Sequence, residues 1–409
     1  MNHLELVLRA AYPRARATLV RLLGDFDQAE DALQEAATRA MRSWPERGVP
    51  DNPAAWLIRT GRNYMIDVIR HRAVENQHAT SLAILAGQAD PHADDVVASA
   101  PIDDDLLRLV FTCCHPALTQ EGQIALTLKT VAGLTVEEIG RAFLVSAGTM
   151  EKRLTRAKAK IRQERIPYEV PAQTQLSARL DAALAVVYLI FNEGYKASHG
   201  PDLMRPGLCG EAIRLGRILA RAFRERPEVS GLLALMLLQH SRAGARIDAS
   251  GEIVPLDDQD RTLWNREFIV EGQSLVEKSL RRGQPGPYQI QAAIAAVHAQ
   301  AARPAATDWA QIAVLYRQLA HYQQSPVITL NRAVAVARSE GPVAGITLLQ
   351  TIEDLPSMQA YHHFHGAYAA LLLEDGRPAE AKRAFEQALS LAENDRERAF
   401  LRNRIASLG

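Results

Sequence analysis

The stretch from Thr135 to Arg162, TVEEIGRAFLVSAGTMEKRLTRAKAKIR, leaves a chain like this the least conformational freedom. Thr135 followed three residues on by Glu138 is a capping box, in which each side chain satisfies a backbone N–H left open by the first turn of a helix. Val136, Ile139 and Phe143 recur at helical spacing and give that helix one apolar stripe. After Leu144 and Val145, Ser146 is placed to cap a second helix with Met150, Leu154, Ala157 and Ile161 as its buried stripe. Thr149, Lys152, Arg153, Arg156 and Lys160 fall on its other side. A helix apolar on one side and cationic on the other suits the major groove of DNA, where cations meet phosphates and longer side chains reach base edges. A solvated helix in an ordinary bundle carries the same pattern. The rest of the chain decides between them.

At 409 residues the chain exceeds an ordinary single domain, so about two to four domains are expected. Apolar residues make up 47%, enough for real cores, and the formal net charge is zero. Contact with a polyanion must therefore come from local basic patches. Cys113, Cys114 and Cys209 form no zinc framework, since no second paired-cysteine motif follows, and buried thiols in a reducing compartment are the simpler reading. The first residues show no signal-peptide pattern. The longest apolar runs, Ala182–Phe191 and Leu232–Leu238, are too short to span a bilayer, so a cytoplasmic protein without a membrane partner is expected.

Nearly every segment shows helical periodicity and none alternates convincingly, which makes the fold class all-α. Composition separates four sections. Residues 1–75 form a helical block, and residues 76–102 lose periodicity and collect aspartate and proline as an acidic linker. Residues 103–167 hold the helix-turn-helix, and residues 168–409, entered through the proline-punctuated Ile166–Pro171, form a long helical array. In the first block, Asp27 is read as the cap of a helix over 28–42 that Pro45 stops. Ala32, Leu33, Ala36 and Ala40 line its inner side, with Asp31, Gln34 and Glu35 outward. A loop over 45–53 follows, then a helix over 54–72 with Trp56 at its start. Leu57, Gly61, Tyr64, Met65 and Val68 pack inward there, and Arg59, Arg62, Asn63 and Arg70 gather on the other side. Cations beside an aromatic and a loop can hold single-stranded DNA.

The run AEDALQEAATRAMRSWP, then NPAAWLIRTGRNYMIDVIRHR, then the helix-turn-helix, resembles the bacterial extracytoplasmic-function sigma factors over about residues 5–165. The resemblance implies a promoter-melting domain followed by a domain that reads the upstream element. It places Asp31, Leu33, Gln34 and Glu35 on the helix that docks on the polymerase clamp, and 45–53 at the loop that captures a flipped base of the minus-ten element. Arg59, Arg62, Asn63 and Arg70 then face the opened DNA, and Thr149, Lys152, Arg153 and Arg156 read the minus-thirty-five element. The segments LRLVFTCCHPAL, RIPYEVP and YLIFNEGY resemble the subgroup with a C-terminal helical-repeat extension. Gly376, Ala381, Phe385 and Ala388, with Ala369 on the preceding helix, fall at tetratricopeptide offsets, and a degraded repeat surrounds Leu330–Leu349.

The expected protein is an initiation factor whose partners are core RNA polymerase and promoter DNA, double-stranded and melted. The C-terminal part would have an intramolecular or protein partner. No catalytic residue, cofactor or metal is expected, and the chain is not read as an enzyme. Glu193, Asp258 and Asp260 suggest a carboxylate site, but Asn192 and Gly194 ending one helix and Asp257 or Asp258 capping the next explain them more simply. His362, His363 and His365 resemble a metal cluster, yet neighbours on a helix diverge by about 100°. Structural or solvent-facing histidines are expected instead. Two rival readings remain: a ligand-sensing helix-turn-helix regulator that works without polymerase, and an enzyme-like C-terminal domain around Glu193 and Asp258.

Overall fold

The computed structural model describes residues 3–76, 102–143, 145–197 and 202–408. The acidic linker expected over 76–102 lies almost wholly outside them. Among the described residues the fold is all-α, with an isolated antiparallel bridge between Ile247 and Ile253. The chain divides into two compact units, Met1–Val186 and Val187–Gly409.

The first unit begins with α1 (His3–Leu23), α2 (Phe26–Arg47) and α3 (Pro53–Asn76), which pack on one another. Alanines make the close approach possible: Ala29, Ala32, Ala36 and Ala40 of α2 are buried, and Gly61 of α3 faces the Ala32 carbonyl. The helix caps correct the sequence reading twice. Asp25, not Asp27, caps α2, its carboxylate accepting from the N–H groups of Asp27 and Gln28. Pro45 does not stop α2, because a proline near a helix end removes only one hydrogen bond. The helix ends at Gly48, whose φ of +82° is the left-handed conformation glycine adopts without strain. The loop is thereby shortened to the residues after Arg47 and before Pro53.

Helices α4 (Ile102–Cys113), α5 (Gln120–Thr130), α6 (Val136–Ala142) and α7 (Ala147–Gln163) complete the unit, together with the first part of α8 (Gln173–Tyr195). The proline joint belongs here too. The Tyr168 hydroxyl lies 2.9 Å from the carbonyls of Ala17 and Asp105, and Arg179 donates to the Phe111 carbonyl at 2.7 Å. The division of the chain therefore falls inside α8, further on than the boundary expected at 167/168. Helix α8 also corrects the membrane reading. At 23 residues it is long and apolar enough to cross a bilayer by length and composition, although half of that apolar window is buried within the protein.

The second unit stacks helices in sequence: α9 (Pro206–Ala222), α10 (Pro227–His240), α11 (Arg266–Leu280), α12 (Pro287–Gln300), α13 (Trp309–Tyr322), α14 (Pro326–Glu340), α15 (Pro342–Gln350), the short α16 (Pro356–Gln359), α17 (His362–Glu374), α18 (Pro378–Leu391) and α19 (Asp395–Ala406). Helix α10 is buried along nearly its whole length and packs against α9, α11 and α12. Farther on, α14 packs on α15 and α17 on α18. Ala369, Ala381, Phe385 and Ala388 are buried at the last of these contacts, and Gly376 takes the left-handed conformation at its turn. Several helices open on proline at their first position, where the missing N–H costs nothing.

Candidate nucleic-acid interface

The two helices of the reading head form as their caps dictate. The Thr135 N–H donates to Glu138 Oε2 at 2.8 Å, and the Glu138 N–H donates back to Thr135 Oγ1 at 3.1 Å. Ser146 Oγ accepts from the Thr149 N–H at 3.2 Å and starts α7. The turn between them is tight enough that a Cβ at Gly140 would stand 2.9 Å from the Val145 carbonyl. Met150, Leu154, Ala157 and Ile161 are all below 9% exposed and fix the rotation of α7. That burial sends Thr149, Lys152 and Arg156 into solvent with Arg153 half-buried beside them. Glu151 is exposed on the same helix, an acceptor among donors.

In the other module, α3 presents Arg59, Asn63 and Arg70 to solvent, with Arg62 half-buried. Arg70 stands 4.0 Å from Asp67, an exposed contact of little energetic weight. Trp44, at the end of α2, is 4% exposed and meets Trp56 edge-on, ring centroids 5.3 Å apart. The pair pins the two ends of the loop between α2 and α3, while Asn52 Oδ1 caps α3 by accepting from the Ala55 N–H at 3.1 Å. The capping role of Asn52, inside the loop expected over 45–53, and the contact of Trp44 with Trp56 were missed. Asn52-Pro53 is a readable cap signal, whereas nothing local marks Trp44 as the partner of Trp56.

On α2, Asp31 and Gln34 are exposed and Glu35 is half-buried, bound to Arg39 at 2.8 Å. Leu33 lies on the inner side that its spacing predicts and is fully buried, so of the four residues that the resemblance puts on this helix it is the one that holds α2 in place. The two modules pack together inside the unit. Asp27 accepts from Lys158 at 2.7 Å and Arg162 at 2.9 Å, both on α7. Arg16, 4% exposed, pairs with Glu30 at 3.0 Å and donates to the Lys129 carbonyl. Asp105, 2% exposed, accepts from Thr18 at 2.9 Å and pairs with Arg21 at 2.8 Å.

The remaining sequence candidates separate. Glu193 pairs with Arg205, and Asp260 caps its own turn by accepting from the Thr262 N–H at 2.9 Å, so with exposed Asp258 they share no site. Gly194 does not end its helix. A Cβ there would stand 2.7 Å from the Cys209 nitrogen, so glycine allows the close approach of α9. The cysteines are buried and free, and burial pushes the Cys114 and Cys209 thiols up to about 12. His365 is buried and its Nε2 lies 2.9 Å from the Gln359 carbonyl. His362 and His363, expected to diverge, instead lie side by side with ring centroids 3.8 Å apart, both against Glu397. Burial, aided by the Lys196 ammonium, holds His363 down to about 3. Burial pushes the Glu397 carboxyl up, but the hydrogen bond from His362 and the Lys196 charge outweigh it and leave it at about 2.

A capped helix-turn-helix with an outward cationic face, beside a helical module with its own cationic face and tryptophan-pinned loop, is an arrangement suited to DNA. Residues 7–74 match sigma-70 region 2 and residues 108–161 match sigma-70 region 4, while residues 179–280 match a family of unknown function (DUF6596). The chain is 46% identical to the uncharacterized protein R00370 of Rhizobium meliloti over 407 residues, 99% of this chain and 96% of that one. It is 28% identical to the probable ECF RNA polymerase sigma factor SigI of Mycobacterium tuberculosis, covering 54% of this chain and 75% of the relative. To the ECF RNA polymerase sigma factor SigE of Mycolicibacterium smegmatis it is 29% identical, over 39% of this chain and 58% of the relative. No solved structure matches. The chain belongs to one family with the Rhizobium protein, and it carries a sigma-70 region 2 domain followed by a sigma-70 region 4 domain, in which it resembles sigma factors of the extracytoplasmic-function kind.

Proposed function

We propose that this chain binds core RNA polymerase in the cytoplasm and brings it to a small set of promoters, opening the duplex with binding energy and no covalent chemistry of its own. The observation that carries this reading is the occurrence, in chain order, of region 2 and region 4 domains with their cationic faces outward. In this reading Asp31, Gln34 and Glu35 meet the polymerase. Thr149, Lys152, Arg153 and Arg156 hold the minus-thirty-five duplex through phosphates and a few base edges. Arg59, Arg62, Asn63 and Arg70 hold the melted strand, and the loop before Pro53 takes an extruded base, offsetting an unstacking cost of a few kcal/mol. The second unit serves as a tetratricopeptide-like regulatory extension. Its stacked helix pairs support that role, as does a cavity of about 500 Å³ lined by Tyr188, Arg242, Tyr288, His298, Tyr316 and Asn331.

Transcription in vitro with core polymerase, the full chain and a random promoter library tests the proposal. Transcripts starting downstream of one shared motif pair are the expected result. The absence of any transcript that depends on the added chain, where a known initiation factor gives one, overturns it.

A further inference from the structure

Away from the DNA-facing helices, the second unit brings together three side chains of metal-ligating chemistry. His362 and His363 open α17, and Glu397, 35 residues beyond His362, lies in the first turn of α19. His362 Nε2 stands 3.1 Å from Glu397 Oε2, and His363 Nε2 stands 3.7 Å from Oε1. One donor atom from each of the three lies within 4.8 Å of the others. Donors around a tetrahedral zinc ion, each bonded at about 2.0–2.2 Å, lie about 3.3 Å apart, a contraction within reach of small rotamer changes.

The cluster is built on a fixed support. Asn394 is fully buried, caps α19 by accepting from the Arg396 N–H at 3.0 Å, and donates to the Asp202 carbonyl at 3.0 Å. That cap sets where Glu397 stands. Supporting contacts of this kind orient metal ligands and sharpen affinity. A cation already sits against two of the three: Lys196 Nζ is 2.8 Å from Glu397 Oε1 and touches His363 Nε2. Its four-carbon stem is flexible, so the ammonium can withdraw. The same three side chains help line a cavity of about 450 Å³, together with Arg338, Phe400 and Arg404, which gives solvent and small anions access to the ligand atoms.

We propose that the second unit binds a single divalent transition-metal ion of the zinc type through His362, His363 and Glu397, displacing the Lys196 ammonium. Two imidazoles and one carboxylate suit zinc, whereas magnesium and calcium prefer shells made wholly of oxygen. The fourth position falls to water or to an anionic oxygen from the cavity. Binding releases the link from Lys196 to α19 and replaces the direct His362–Glu397 contact between α17 and α19 with a metal bridge, so metal supply becomes an input to the C-terminal unit.

The site is tested on the full chain without polymerase, so its failure is separable from failure of the promoter reading. Co²⁺ is titrated and followed by its visible ligand-field absorption, then displaced by Zn²⁺ in competition with a chelator. The chain has 12 histidines, so adventitious binding must be separated by variants. A 1:1 complex with intense tetrahedral bands is expected for the native chain. His362→Ala and Glu397→Gln should each lose it, and Lys196→Met should bind more tightly. His363→Gln serves as a further ligand variant should one of these not fold, with folding checked by circular dichroism. No 1:1 complex in the native chain, or one that survives in folded ligand variants, overturns the proposal.

Discussion

Asp27, in the first turn of α2, accepts from Lys158 at 2.7 Å and so joins the region 2 module to the flank of the reading helix α7. Arg162 reaches the same carboxylate at 2.9 Å. Lys152, Arg153 and Arg156, proposed to face DNA, lie on a different arc of the helix, so the contact masks none of them. In the proposed function, promoter binding requires the contact to break. Elements about 25 base pairs apart lie about 85 Å apart along the duplex at 3.4 Å per step, and two modules in direct contact cannot reach both. On that reading the packed unit is the closed form, and the need to open it would lower apparent affinity by the fraction of molecules open at any moment.

Asp27→Asn should raise that open fraction. Exposed ion pairs are each worth about 0.2–1 kcal/mol, so losing two gives about a two- to thirtyfold increase in 0.1 M salt. Energy transfer between dyes on Met41→Cys and Gln163→Cys, both exposed positions, reads the separation. The native thiols are buried and do not compete for label. The difference between Asp27→Asn and the parent should shrink toward 1 M salt, where the Debye length falls to about 3 Å. An unchanged distance distribution at low salt would show that the buried contacts of Arg16 and Asp105 hold the modules alone.

Arg156→Ala should weaken promoter binding and lower the slope of log affinity against log salt by about 0.9, the value for one lost phosphate contact. Filter binding of the polymerase complex from 50 to 300 mM salt measures it. Lys160 is already engaged with Glu164 at 2.8 Å, so Lys160→Ala should change the slope less. Equal effects from the two variants would remove Arg156 from the interface.

How far the sequence could be read depended on the range of the interaction. The caps at Thr135 and Ser146 and the stripe of α7 are local, and they stand where the spacing put them. Failures came where a partner distant in sequence decides. Asp27 is a good cap by residue type, but Asp25 took the cap and left Asp27 to bind α7. His362 and His363 diverge on an ideal helix, but Glu397 lies across both of them from another element. No pattern within a window of ten residues carries that information.

Gly61→Ala should destabilise the first unit. An added Cβ would stand 2.9 Å from the Ala32 carbonyl oxygen and 3.2 Å from Leu19 Cδ1, so α3 must move off α2. Overpacking of this sort costs about 1–3 kcal/mol, which lowers the melting temperature of a unit this size by about 2–10 °C. Gly148→Ala, where the added atom meets nothing within 4 Å, is the matched control and should not lower it. Calorimetry separates the two. Equal melting temperatures would mean that the α2–α3 crossing yields without cost.

The last prediction concerns His298, which lines the larger cavity of the second unit and meets Trp309 edge-on at 5.1 Å. Burial, with Arg242 and Arg261 nearby, holds it down to about 4 from an ordinary value of 6.5. Above pH 6.5 the ring is neutral whether the chain is folded or unfolded, and it contributes no pH dependence. Between 6.5 and 4 the unfolded chain takes up a proton that the folded one refuses, so stability falls as the pH falls and levels off below 4. A displacement of this size corresponds to about 3 kcal/mol as an upper bound. Because carboxylates titrate in the same range, the measurement is a difference: denaturant unfolding of the parent and of His298→Gln, from pH 7.5 to 4.5. The variant should lose less stability on acidification, with the gap opening below pH 6.5. Parallel curves would place the His298 ring in contact with water in the folded protein.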